Sequence, residues 1–349
     1  MRRQWGRAWV VVVLSLLPGA PSAIGAQASA RRPVATTPHF AFYSDAETNL
    51  NDALLQAGVA RKSGKAEPLR AGPDSACFAR LPAPVRAAWN RAVDYYADIV
   101  SPTDFGAAEQ YRIRMQLAGF PAEIADSGAQ RYVAIVQGFR AAAAPAYRAC
   151  RWAAQDSANR AWIARVQALL AAHEATIAPR LEQLYRKRWP RLPMAVDVVQ
   201  TVNWAGANSV FPGPDEAPSA HLLVSVENEG LSALESVFHE ASHGLMLRGA
   251  PVRLALDSAA RGAGYRMPGD LWHVVQFHTT GEVVRRALEA GGTKGYATML
   301  EGIMARPRHS WAAYRQALED GWVPYVTGRA SLGAAAAELV RRLREAPGP

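Results

Sequence analysis

The sequence predicts a mainly α protein with a small β-sheet, an α+β arrangement, and three observations carry that expectation. Residues 84–190 are rich in Ala, Arg, Gln and Leu at helical spacing. After Pro193 the character changes, and β-branched residues gather in two short segments. From Gly230 onward the apolar residues return to a helical period.

Taken in order, Phe40–Tyr43 is a short apolar run, residues 49–59 can form a helix, and residues 61–73 are polar and turn-rich. Helices are expected near 84–99, 105–118, 122–150 and 155–189. Residues 194–202, with Val196, Val198, Val199 and Val202, read as a strand. Residues 203–218 read as a loop of Gly, Pro, Asn and Asp, and 221–226 as a second strand. Next comes a helix whose apolar stripe is Leu231, Leu234, Val237, Phe238, Ala241 and Leu245. Ser232 and Glu235 are spaced as a capping box at its start, and Gly249 and Pro251 stand as its stop. Residues 251–269 look irregular. Asp270 is placed to cap a helix over 271–290, closed by Gly291 and Gly292, and helices follow near 294–305, 308–320 and 329–345. The expected organisation is a signal segment at 1–30, a mostly helical region at 31–190 and a second region at 191–349.

The N-terminal segment has the pattern of an export signal. Arg2, Arg3 and Arg7 precede an apolar run from Ala8 to Leu17, and Pro18, Gly19 and Pro21 break it. Ala26-Gln27-Ala28 and Ala28-Ser29-Ala30 both fit a cleavage site, so a secreted or periplasmic location is expected, with cleavage near Ala28 or Ala30. The apolar run is too short to span a bilayer comfortably, and no stable membrane insertion is expected after cleavage. Loss of residues 1–30 removes three arginines and no acid, so the formal charge falls from +9 to +6. The remaining arginines are spread thinly. The densest group, Arg186-Lys187-Arg188-Trp189-Pro190-Arg191, reads as the charged end of a helix rather than a nucleic-acid surface. No nucleic-acid partner is expected. The two cysteines, Cys77 and Cys150, are expected to form one disulfide in an oxidising compartment.

The chemistry is concentrated in His239-Glu240-Ala241-Ser242-His243. On a helix the two histidines lie one turn apart and point the same way, so both imidazoles can hold one Zn²⁺ per chain. Glu240, beside them, suits a general base that takes a proton from a metal-activated water and returns it to a leaving amine. A third ligand is needed, and the helix over 271–290 offers His273, His278 and Glu282. Glu282 and His278 share one face with Leu271 and Val275, whereas His273 lies on the opposite face beside Phe277. One regular helix cannot aim both Glu282 and His273 at the same ion. An aspartate ligand would point to Asp257, although its surroundings do not match the motif such a ligand needs. Tyr265, His309 and Tyr314 are possible oxyanion donors.

At this point the chain resembles the gluzincins, the thermolysin-like branch of the zinc metallopeptidases. The resemblance covers the His-Glu-x-x-His helix and the later Gly281-Glu282-Val283-Val284 segment, with no Asn before the glutamate and no acid at position 286. It implies a zincin-like catalytic domain with His239, His243 and Glu282 as metal ligands and Glu240 as base. His278, one turn before Glu282, would then face substrate or a developing oxyanion. The His-x-x-Gly-x-x-His continuation of the metzincins is excluded, because Met246 and Gly249 stand at the Gly and His positions. The function expected is that of a zinc peptidase acting on a peptide or protein substrate. The alternative is a catalytically silent metal-binding or interaction protein of the cell envelope, against which the presence of Glu240 argues.

Overall fold

The computed structural model describes residues 31–65, 74–98, 107–120, 122–202, 206–211, 220–307 and 309–345. The expected signal segment and its cleavage sites lie outside the described residues. Five strands make one mixed sheet: β1 (Ala35–Thr36), β2 (Phe40–Tyr43), β3 (Met194–Val199), β4 (Ala207–Val210) and β5 (His221–Ser225), in the order β1-β2-β3-β5-β4. The three inner strands run parallel, and β1 and β4 close the edges antiparallel.

The register sorts the two faces. Phe42, Val196, Leu222 and Ser209 stand in one row across β2, β3, β5 and β4. The apolar members of that row are fully buried. The neighbouring row, Tyr43, Asp197, Leu223 and Asn208, faces the other way. All six residues of β3 are buried, as expected of a central strand covered on both faces. β4 falls inside the segment expected to be a loop. Its sequence, Ala-Asn-Ser-Val, lacks the apolar alternation of a buried strand, and pairing with β5 supplies what propensity does not.

Helices α1 (Ala46–Lys62), α2 (Ser75–Arg80), α3 (Ala83–Asp98), α4 (Ala107–Leu117) and α5 (Ser127–Tyr147) precede the 33-residue α6 (Ala153–Tyr185). A π-helical turn over Arg148–Trp152 links α5 to α6. One apolar cluster joins α1, α3 and α5 through Leu50, Leu54, Trp89, Val93, Val136 and Tyr147. The larger cluster joins α6 to the sheet and to the later helices through Trp162, Val166, Leu181, Phe42, Leu222, Phe238 and Phe277. Residues from both sides of position 190 contribute to this larger cluster. β1, β2 and α6 belong to the same packed body as the motif helix.

Cys77, on α2, is bonded to Cys150 in the π turn, a span of 73 residues. On chain-entropy grounds a closed loop of that length contributes about 4 kcal/mol.

The motif helix, α7 (Gly230–Ser242), begins at Gly230 with φ 57° and has no side-chain cap. The expected Ser232–Glu235 capping box does not form. Ser232 Oγ donates instead to the Glu229 carbonyl at 2.7 Å. Glu235 is fully buried and accepts from Tyr296 Oη at 2.6 Å and from the Met299 main chain. Pro251 opens a helix, α8 (Pro251–Gly262), where an irregular stretch was expected, because proline at the first helical position gives up no hydrogen bond. After α9 (Leu271–Ala290) come α10 (Met299–Met304), the short α11 (Arg315–Ala317) and α12 (Val323–Val326), and α13 (Leu332–Glu345). Among the described residues, no helix is long and apolar enough to cross a membrane.

Candidate metal centre

α7 and α9 pack side by side, and their contact carries the site. Gln276 Nε2 donates to the His239 carbonyl at 2.9 Å, and Thr280 Oγ1 lies 2.8 Å from Ser242 Oγ. The Phe277 ring stacks on His239 with centroids 3.6 Å apart. These residues follow His273 at helical spacing, so the face of α9 that meets α7 is the His273 face. His239, His243 and His273 come together, with one ligand atom from each within 4.8 Å of the others.

The chemistry of this group fits a metal ion. His239 Nε2 and His273 Nε2 are 3.2 Å apart. Two nitrogens about 2.0–2.1 Å from a tetrahedral zinc stand roughly 3.3 Å from each other. Burial holds all three imidazoles in the neutral, ligand-competent form: His239 is pushed well below its ordinary value, His243 to about 3 and His273 to about 4. His239 Nε2 faces His273, while its buried Nδ1 has no hydrogen-bond partner among the described residues.

Glu240 lies against the same group, with Oε2 3.8 Å from His243 Nε2. Ser209 Oγ, on β4, donates to Oε2 at 2.7 Å. Burial raises the Glu240 carboxyl to about 7, while Ser209 and the positive charge of Arg114 oppose the rise. A carboxyl at that value both accepts and returns a proton near neutral pH. Aromatic rings wall the site. Trp272 stacks on His273 at 4.9 Å and meets His243 edge-on, and Trp311 stands edge-on to His273. Trp311 Nε1 donates to Asp270 at 2.6 Å, and Tyr314 Oη reaches the same carboxylate. Asp270 thus fixes the aromatic wall rather than capping α9 with its side chain, as the sequence had suggested.

Glu282, the third ligand implied by the gluzincin resemblance, is not in this cluster. It lies on the opposite face of α9, where Arg285 donates to one carboxylate oxygen and Arg286 stands 3.6 Å from the other. His278 accompanies it, away from the three histidines, and the pair lines a separate cavity of about 100 Å³ with Arg285, Glu301 and Arg315. Gly281, which helped suggest the motif, has a packing reason of its own. A Cβ there would come within 2.9 Å of Glu235 Oε1 and 3.0 Å of Thr298 Cβ. Asp257 is on α8 and likewise outside the cluster. Of the possible oxyanion donors, Tyr314 is engaged with Asp270, His309 Nδ1 accepts from the Trp311 main chain, and Tyr265 packs against the core.

Sequence reading missed Ser209, because β4 looked like a loop, and Gln276. The adjacent Trp272-His273 pair, followed by Phe277 on the same face, was the available sign that this face is buried against another element. No protein-family model matches the chain, and no significant match is found among curated proteins or solved structures.

Proposed function

We propose that this chain is an exported zinc-dependent metallohydrolase that cleaves peptide bonds, with His239, His243 and His273 as ligands and Glu240 as general base. The observation that carries the reading is the convergence of three neutral imidazoles beside a buried carboxyl whose pKa is raised toward neutrality. Metal binding alone needs no Glu240. Zinc, when bound, supplies a Lewis acid that activates water and polarises a carbonyl. The protein's own residues do the rest. Glu240 Oε2, oriented by Ser209 Oγ, accepts the proton of the attacking water and returns it to the departing amine. Gln276 and Phe277 hold His239 in place from behind, and Trp272 and Trp311 shield the histidines from solvent. Export is supported by the basic and apolar N-terminal pattern and is compatible with the Cys77–Cys150 bridge.

The test is metal analysis of the purified chain with a digest of a broad peptide library. One tightly held zinc per chain, with library cleavage that disappears in Glu240→Gln, is the expected result. Cleavage that persists at the wild-type rate in Glu240→Gln would contradict the assignment of the base. Absence of any bound metal would contradict the whole reading.

A further inference from the structure

The sheet edge beside the site carries a cation whose charge acts on the Glu240 carboxyl and whose remaining N–H donors the proposed mechanism leaves unused. Arg114, on α4, reaches the β4 edge from the face opposite α7. Its Nε donates to His221 Nδ1 at 3.2 Å, Nη2 to the Asn208 carbonyl at 3.2 Å, and Nη1 to Asn208 Oδ1. All three acceptors are neutral. His221 accepts at Nδ1, so it carries its proton on Nε2 and donates that to Asp197 at 2.7 Å. Asp197, fully buried, is already ion-paired to Arg31. Among the described residues no carboxylate lies within ion-pair distance of Arg114. The guanidinium is therefore anchored through three of its five N–H donors. Two remain, one on each Nη nitrogen, and guanidinium N–H groups pair readily with carboxylates. Loss of solvent lowers Arg114 to about 10, the sign of a cation held without full compensation.

β4 supplies the geometry that links this cation to the site. Ser225 N donates to the Gly206 carbonyl, so in the antiparallel register Gly206, Asn208 and Val210 direct their main-chain groups toward β5. Ala207 and Ser209 then turn theirs to the outer side; Ala207 is buried, and partly exposed Ser209 is where an extended peptide can pair. Side chains of such a peptide alternate between faces. One set lies on the Ser209 face, with Glu240 and the histidines. The next residue along lies on the Asn208 face, with Arg114.

We infer that Arg114 is a specificity-determining residue that receives an acidic side chain of the substrate, one residue away from the side chain that faces α7. This rests on the peptidase reading above and adds the class of substrate: extended peptides with Asp or Glu at one fixed subsite.

The experiment is cleavage-site mapping on a peptide library with wild type, Arg114→Gln, Arg114→Lys and Arg114→Glu, each checked for folding by its thermal transition. It is paired with peptide binding to the same variants in a Glu240→Gln background. The wild type should enrich Asp and Glu at one subsite. Arg114→Gln should lose that enrichment, with kcat/KM on acidic relative to neutral peptides lower by about tenfold to a hundredfold; the loss of its charge beside Glu240 falls on both peptide classes alike. Arg114→Lys should keep the preference in weaker form, and Arg114→Glu should shift it to Lys and Arg. Cleavage without an acidic preference, or an unchanged preference in Arg114→Glu, would overturn the subsite and leave the hydrolase reading intact. Absence of cleavage, with acidic peptides still bound more tightly when Arg114 is present, would overturn the hydrolase reading and keep the subsite.

Discussion

The two faces of α9 accommodate buried ionisable groups in opposite ways. On one face, His273 meets His239 and His243 with the Glu240 carboxyl beside them, and burial keeps the three rings neutral. On the other, Glu282 is ion-paired with Arg285 and Arg286, and Glu301 extends the network. A metal ligand must keep a lone pair uncommitted. The histidine face brings three ring nitrogens together, whereas Glu282 has already given its oxygens to two guanidinium groups. Breaking that pair to reach a metal would leave cations uncompensated in a partly buried cavity, which is costly. The difference teaches that a ligand residue is recognised by which other ligand atoms converge on it, more than by its type and spacing.

The comparison breaks most sharply on the histidine face. His239→Ala or His243→Ala removes one of three ligands, and metal affinity should fall by orders of magnitude, read by metal analysis after dialysis against a weak chelator. Stoichiometric metal in both variants would remove the site from this face. Glu240→Gln leaves the ligands alone. It should retain the metal while hydrolysis drops by about a hundredfold or more, checked by single-turnover cleavage of a library-derived peptide.

The sign of the pH dependence follows from the same burial. An unfolded histidine titrates near 6.5. In metal-free protein His243 is held to about 3 and His273 to about 4. Between those values and 6.5 the unfolded chain binds more protons than the folded one. Stability is thus fully present above about pH 6.5 and is lost as the pH falls toward 4. Thermal melts of chelator-treated protein should show a steeper fall between pH 7 and 5 than the His273→Ala variant does. Equal slopes would contradict the neutral assignment.

A smaller effect sharpens the comparison from the other face. Gly281→Ala forces a Cβ against Glu235 and Thr298 and should cost about 1–3 kcal/mol in denaturant unfolding. Metal content should not change. Loss of metal with intact folding would mean that the Glu282 side communicates with the site more directly than its contacts indicate.

Much of this was legible in the chain itself. The central strand, the long helices and the His239–His243 pair announce themselves by period and spacing, because their signals are local. So did the opposed directions of His273 and Glu282 on α9. Which direction meets α7 is a tertiary fact, and no local pattern encodes it. The Gly281-Glu282 dipeptide misled because a glycine that admits Glu235 looks the same in sequence as one that belongs to a ligand motif. The Ser232–Glu235 pair misled in the same way: Glu235 is drawn to Tyr296 and Met299, far along the chain. β4 and its Ser209 were hidden because an edge strand can be polar and short when its partner supplies the pairing.

The most direct measurement is the metal content of three proteins purified side by side: wild type, His273→Ala and Glu282→Gln. The account predicts one equivalent of metal in the wild type and in Glu282→Gln, and strong depletion in His273→Ala with its fold retained by circular dichroism. Metal lost from Glu282→Gln and kept in His273→Ala would contradict it and move the site to the other face of α9.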